Sequence, residues 1–126
     1  MDKKLKARVV NILRRAWMRD KERSAAYAAA RRGRGLYECV LCPKGILHGP
    51  KEVQIDHVQG CVPVTGATTI DDYVTRLFVP SSGLQILCKP HHKEKTLAEN
   101  EARRNYHLTQ KAKSAKLKKR LKKRKK

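Results

Sequence analysis

Two short metal-binding spacings, set far apart, restrict this chain more than any other feature: Cys39-x-x-Cys42 near the start of its middle section and Cys88-x-x-His91 near the end. Each pair suits a tight knuckle with both side chains aimed at one ion, and together they complete a tetrahedral Cys3His zinc set. The gap between them lets one ion pin the beginning of a domain to its end. Such a staple matters here, because one Trp, four Tyr and one Phe leave the core short of large side chains. Disulfides are the competing use of four cysteines. No apolar run reads as a signal peptide or a bilayer span, so a reducing cytoplasm and a bound zinc ion are expected instead. Cys61 has no knuckle partner. It offers an all-cysteine set with Cys39, Cys42 and Cys88, but reads better as a small, partly buried hydrophobe.

Charge sets the second constraint. Lys and Arg number 31 against 11 Asp and Glu, a net charge of +20. That exceeds what solubility requires and points to a polyanion. Eleven of the sixteen residues 111–126 are Lys or Arg, with Leu117 and Leu121 set among them. Alone, such a segment is expected to be disordered or a frayed helix, ordering against its partner.

The remaining pattern predicts an α+β chain. Leu5, Val9, Ile12, Leu13 and Trp17 recur at helical spacing over residues 4–19, and an Ala-rich helix is expected over 24–32, capped by Ser24 and stopped by Gly33 and Gly35. The apolar stripe of the first is expected to pack, with Arg31, Arg32 and Arg34 facing nucleic acid. Residues 53–58 read as a strand and 59–68 as a loop. Residues 69–78 read as a helix capped by Thr69, with Ile70, Tyr73, Val74 and Leu77 as its apolar face. Residues 84–87 read as a buried strand, followed by a helix from about 92 to 104 or beyond. The expected organisation is a helical arm over 1–33, a core over 34–105 and a basic tail over 106–126. His48 and His107 stand outside any pair and read as surface residues.

The run Tyr37-Glu-Cys39-x-x-Cys42, then Ile55-Asp56-His57, then Leu84-Gln-x-Leu-Cys88-x-x-His91-His92-x-x-Lys95-Thr96 resembles the HNH endonucleases across residues 34–104. The resemblance implies a ββα-metal core stapled by one structural zinc on Cys39, Cys42, Cys88 and His91. It also implies hydrolysis of DNA phosphodiesters, nicking or double-strand, leaving 5′-phosphate and 3′-hydroxyl ends. His57 is then the general base, and Asp56 and His92 hold a divalent ion such as Mg²⁺ or Mn²⁺. The chemistry agrees with those residue types. An imidazole titrates near neutrality, a carboxylate suits a hard cation, and the ion relieves charge on the phosphate.

Two positions depart from the family's pattern. His91 stands where many relatives have Cys, and it remains a valid zinc ligand. Gly83 stands where relatives commonly have Asn, so whatever that amide braces must be supplied otherwise. Lys89, Lys93, Lys95, Arg103 and Arg104 flank the expected cleft as phosphate contacts. DNA binding should be dominated by phosphates, with weak sequence preference and steep salt dependence. The alternative is a non-catalytic zinc module that binds nucleic acid or a phage genome-packaging complex.

Overall fold

A computed structural model describes residues 1–66 and 68–125. The expected loop 59–68 therefore has Ala67, and the basic tail has Lys126, outside the described residues. Among the described residues, four α-helices and two small sheets make up a mixed α+β fold. The helices are α1 (Lys3–Trp17), α2 (Lys21–Ala30), α3 (Ile70–Leu77) and α4 (Lys89–Arg124). Strands β1 (Arg31–Gly33), β2 (Leu36–Glu38) and β3 (Leu47–His48) pair antiparallel in sequence order. Strands β4 (Val53–His57) and β5 (Leu84–Cys88) form a separate antiparallel pair, and α4 follows β5 without a break.

Five register pairs hold β4 to β5, from Val53↔Cys88 at one end to His57↔Leu84 at the other. Ile86, Leu87 and Cys88 are buried in this pair, as is Cys39 of the first knuckle. The Val40 amide donates to the Ile86 carbonyl at 3.2 Å, which ties the knuckle to β5. α2 packs on β5, α1 packs on α3, and α4 lies along both long strands. Tyr73 and Leu77 form the buried face of α3. Its start is fixed as expected: the Thr69 hydroxyl accepts from the Asp72 amide at 3.1 Å, and Asp71 and Asp72 occupy the first turn, where carboxylates suit the helix dipole.

Three boundaries differ from the sequence reading. α2 starts at Lys21, so Ser24 lies inside the helix, and the chain leaves it at Arg31 to enter β1. The β1–β2 pairing, Arg31↔Tyr37 and Gly33↔Leu36, outweighs the Gly33 stop signal; the arm-to-core boundary at residue 33 therefore falls within a hairpin. α4 starts at Lys89, not near His92, because Pro90 fits the first turn, where its missing N–H would have had no partner. α4 also continues through the tail to Arg124. No Gly or Pro follows Pro90, and Lys, Arg, Ala and Leu are strong helix formers. Among the described residues, no helix is long and apolar enough to cross a membrane.

Candidate functional site

At the Val53–Cys88 end of the long pair, Cys39, Cys42, Cys88 and His91 converge, with their ligand atoms all within 4.8 Å of one another. Cys39 lies just past β2, Cys42 one turn later, Cys88 ends β5, and His91 sits in the first turn of α4. The His91 Nδ1 is 3.5 Å from the Cys39 and Cys42 sulfurs and 3.1 Å from that of Cys88; the Cys42 and Cys88 sulfurs are 3.7 Å apart. Zinc–sulfur bonds of about 2.3 Å and zinc–nitrogen bonds of about 2.0 Å place tetrahedral neighbours roughly 3.5–3.8 Å apart. Both donor set and spacing fit one zinc ion.

The thiols themselves argue for a cation. Burial pushes the Cys39 thiol up, but hydrogen bonds from the Cys88 and Leu41 backbone and from the His91 and Cys42 side chains outweigh it and bring its pKa down to about 6. Burial, and then hydrogen bonding and charge from Cys39 and Cys88, push Cys42 up to about 12. Thiolates this close cannot all ionise without a positive centre between them. His48, expected at the surface, is half-buried, with Nε2 3.4 Å from the Cys42 sulfur and Nδ1 3.6 Å from Glu52. It can donate to that thiolate and orient it from outside the ligand set. Cys61 stands apart from this cluster, half-buried in the wall of a cleft, where burial raises its thiol pKa.

That cleft lies at the other end of β4. A cavity of about 470 Å³ is lined by Asp56, His57 and His92, the three residues singled out for catalysis, together with Arg14, Trp17 and Arg103. His57 is 9% exposed. Its Nε2 lies 2.8 Å from the Leu77 carbonyl at the end of α3. A carbonyl only accepts, so Nε2 carries the proton and Nδ1 is left as the acceptor nitrogen of the neutral ring. Trp17, from the end of α1, lies against the same ring with centroids 4.7 Å apart. Arg23 stacks in turn over Trp17 at 5.2 Å and over Tyr27 at 5.7 Å.

Asp56 belongs to the opposite pleat of β4 and faces its cross-strand partner Gln85. Its Oδ2 accepts from Gln85 Nε2 and Lys95 Nζ, both at 2.9 Å. Its Oδ1 is left toward His92 Nε2, 3.8 Å away. One carboxylate oxygen and one imidazole fit a divalent ion that completes its shell with water and substrate oxygens. Lys95, expected at a phosphate, instead donates to protein acceptors: Asp56, the His57 carbonyl at 2.9 Å and Glu99 at 2.5 Å. Three acceptors use all three ammonium donors. Burial alone would lower the Lys95 pKa, but the hydrogen bonds to Glu99 and Asp56 prevail and raise it.

Of the other expected phosphate contacts, Arg103 reaches the cleft wall; Lys89, Lys93 and Arg104 lie on exposed faces of α4 outside it. Arg32 pairs with Glu38 at 2.7 Å, and Arg31 donates to the Gly33 carbonyl. Arg14 lies outside the set of residues expected at the cleft. It makes no ion pair among the described residues, and its charge is felt by Cys61 and Tyr73 across the cleft. Only its place one turn before Trp17 on the amphipathic helix hinted at it. Gly83 accepts from the Val58 amide at 3.0 Å, just beyond His57, and a Cβ there would lie 3.0 Å from two carbons of Val79. The close approach of Val79 thus explains glycine at this position, and the Leu77 carbonyl, not a neighbouring amide, braces His57.

Comparison of the chain with protein-family models, with curated proteins and with solved structures returns no match.

Proposed function

We propose that this chain is a metal-dependent HNH-type endonuclease that hydrolyses DNA phosphodiesters, with His57 as general base and Asp56 and His92 as ligands of one divalent ion. The shared cleft carries the reading: a base, a carboxylate and a second imidazole face one cavity, from opposite pleats of a strand and the first turn of the next helix. The order β4, β5, α4, with a Cys3His cluster at the far end of the strand pair, supports a ββα-metal core.

In this reading His57 Nδ1 takes the proton of the attacking water, while Leu77 fixes the tautomer and Trp17 fixes the ring plane. Arg14 and Arg103 bring positive charge to the phosphate. When bound, the divalent ion supplies Lewis acidity at a phosphate oxygen and at the leaving 3′ oxygen. Lys95 shares Asp56 and reduces its negative charge, so Asp56 and His92 would hold a divalent ion weakly.

The same Lys95 contact favours a second reading, a zinc module that binds nucleic acid or a packaging complex without cutting. Supercoiled plasmid separates the two. The first reading expects nicking with Mg²⁺ or Mn²⁺, none without added ion, and none by His57→Ala of unchanged zinc content. Equal cutting by His57→Ala removes the mechanism, and no cutting by the wild-type chain with any divalent ion leaves the binding module.

A further inference from the structure

We propose that the distal part of α4 lies in the major groove of duplex DNA and grips both phosphate walls at once. It deepens the reading above by naming how the duplex is held, and rests on DNA being the partner but not on its cleavage.

Beyond Glu101 the chain has no acidic residue, and residues 111–125 carry ten Lys or Arg, nine on one exposed helix and the tenth, Lys125, as its C-cap. At about 1.5 Å per residue this is roughly one positive charge per 2 Å. Duplex DNA carries one negative charge per ~1.7 Å of axis, so the two densities nearly match. Like charges one turn apart, such as Lys116 with Arg120 and Lys118 with Lys122, oppose the free helix, and a polyanion removes that opposition.

The pattern around the helix is more specific than its sum. At 3.6 residues per turn, Leu117 and Leu121 form a narrow apolar stripe, and both are about half exposed (57% and 48%). One row of cations flanks it: Lys113, Lys116, Arg120 and Arg124. A second row flanks the other side: Lys111, Lys118, Lys122 and Lys125. Only Lys119 and Lys123 lie on the face opposite the stripe. A helix lying along a single backbone needs one row. Two rows about a slim apolar edge suit a helix about 10–12 Å across in a groove about 12 Å wide, with the leucines toward the floor and thymine methyls. The deep, narrow major groove of duplex RNA does not admit such a helix.

The test measures affinity of the full-length chain for a short DNA duplex against salt concentration, without added activating ion, with four Lys or Arg changed to Gln in either row. Gln keeps the helix propensity of Lys, and Ala versions of the same rows, which favour helix further, must rank alike. Each row variant is expected to bind at least tenfold more weakly and to flatten the salt dependence by about 0.9 for each phosphate contact removed, up to about 3.6 per row of four. Lys119→Gln with Lys123→Gln should stay within about twofold of the parent. Loss from one row only means contact with a single backbone and overturns the proposal, as does no loss from either. A lipid-seeking helix would bind phosphatidylserine vesicles, lose them on Leu117→Ser with Leu121→Ser, and leave duplex affinity untouched by the row variants; that result also overturns it. Failure to nick in parallel reactions would count against the cleft reading alone.

Discussion

The Trp17 indole lies across the His57 imidazole, with planes inclined at 36° and centroids 4.7 Å apart. The first helix thereby forms a wall of the cleft. Trp17→Ala is expected to cost about 2–3 kcal/mol, at the low end for an aromatic truncation because the side chain is only half-buried. Nicking should fall more than DNA affinity. Chemical denaturation beside plasmid assays checks both, and unchanged nicking by a folded variant would show that Trp17 does not hold the base.

Lys95→Met should destabilise the fold by about 2 kcal/mol, because Asp56, Glu99 and the His57 carbonyl all lose a donor. The Lys95 pKa is raised in the folded state. Its contribution is therefore complete below the unfolded lysine value of about 10.4 and disappears as pH rises through the higher folded value. Tyr73, whose pKa burial also raises, loses stability in the same direction in both proteins, so the difference between them isolates Lys95. Urea unfolding across the alkaline range should show the wild-type advantage shrinking. An advantage independent of pH would argue against the ammonium as its source.

One zinc per chain is expected by metal analysis. Cys39→Ser should lower zinc content and reduce the melting temperature by roughly 10 °C, corresponding to about 2 kcal/mol or more. Cys61→Ser should keep its zinc, because that sulfur lies outside the Cys3His cluster. Zinc loss in Cys61→Ser, or retention in Cys39→Ser, would contradict this ligand set.

Introducing by Gly83→Asn the amide that HNH endonucleases commonly carry at the corresponding position should harm the protein. A Cβ would meet Val79 at 3.0 Å, tighter than ordinary contact, and overpacking of this kind costs about 1–3 kcal/mol. A more stable or faster Gly83→Asn variant would mean that Val79 yields readily and that glycine is not required there.

What the sequence makes legible is local. Thr69 announces its own cap, the two knuckles announce their cluster, and strand alternation puts Asp56 and His57 on opposite pleats. What it hides depends on tertiary approach. Trp17 and His57 are brought together by α1 folding onto α3, and Lys95 is withdrawn from phosphate by acceptors on β4 and on its own helix. His48 fails as a surface residue because β3 returns it to the cluster through pairing with Tyr37. The Ser24 cap misleads because the helix begins one turn earlier.

The five-pair ladder between β4 and β5 carries one further meaning. Sliding one strand past the other by a single residue would invert the pleat and exchange the surroundings of Asp56 and His57. Cys88, opposite Val53, sits where such slippage would begin. An ion held there would act as a reading-frame lock, keeping Asp56 and His57 on their own sides of the ribbon from three and four register positions away without touching either.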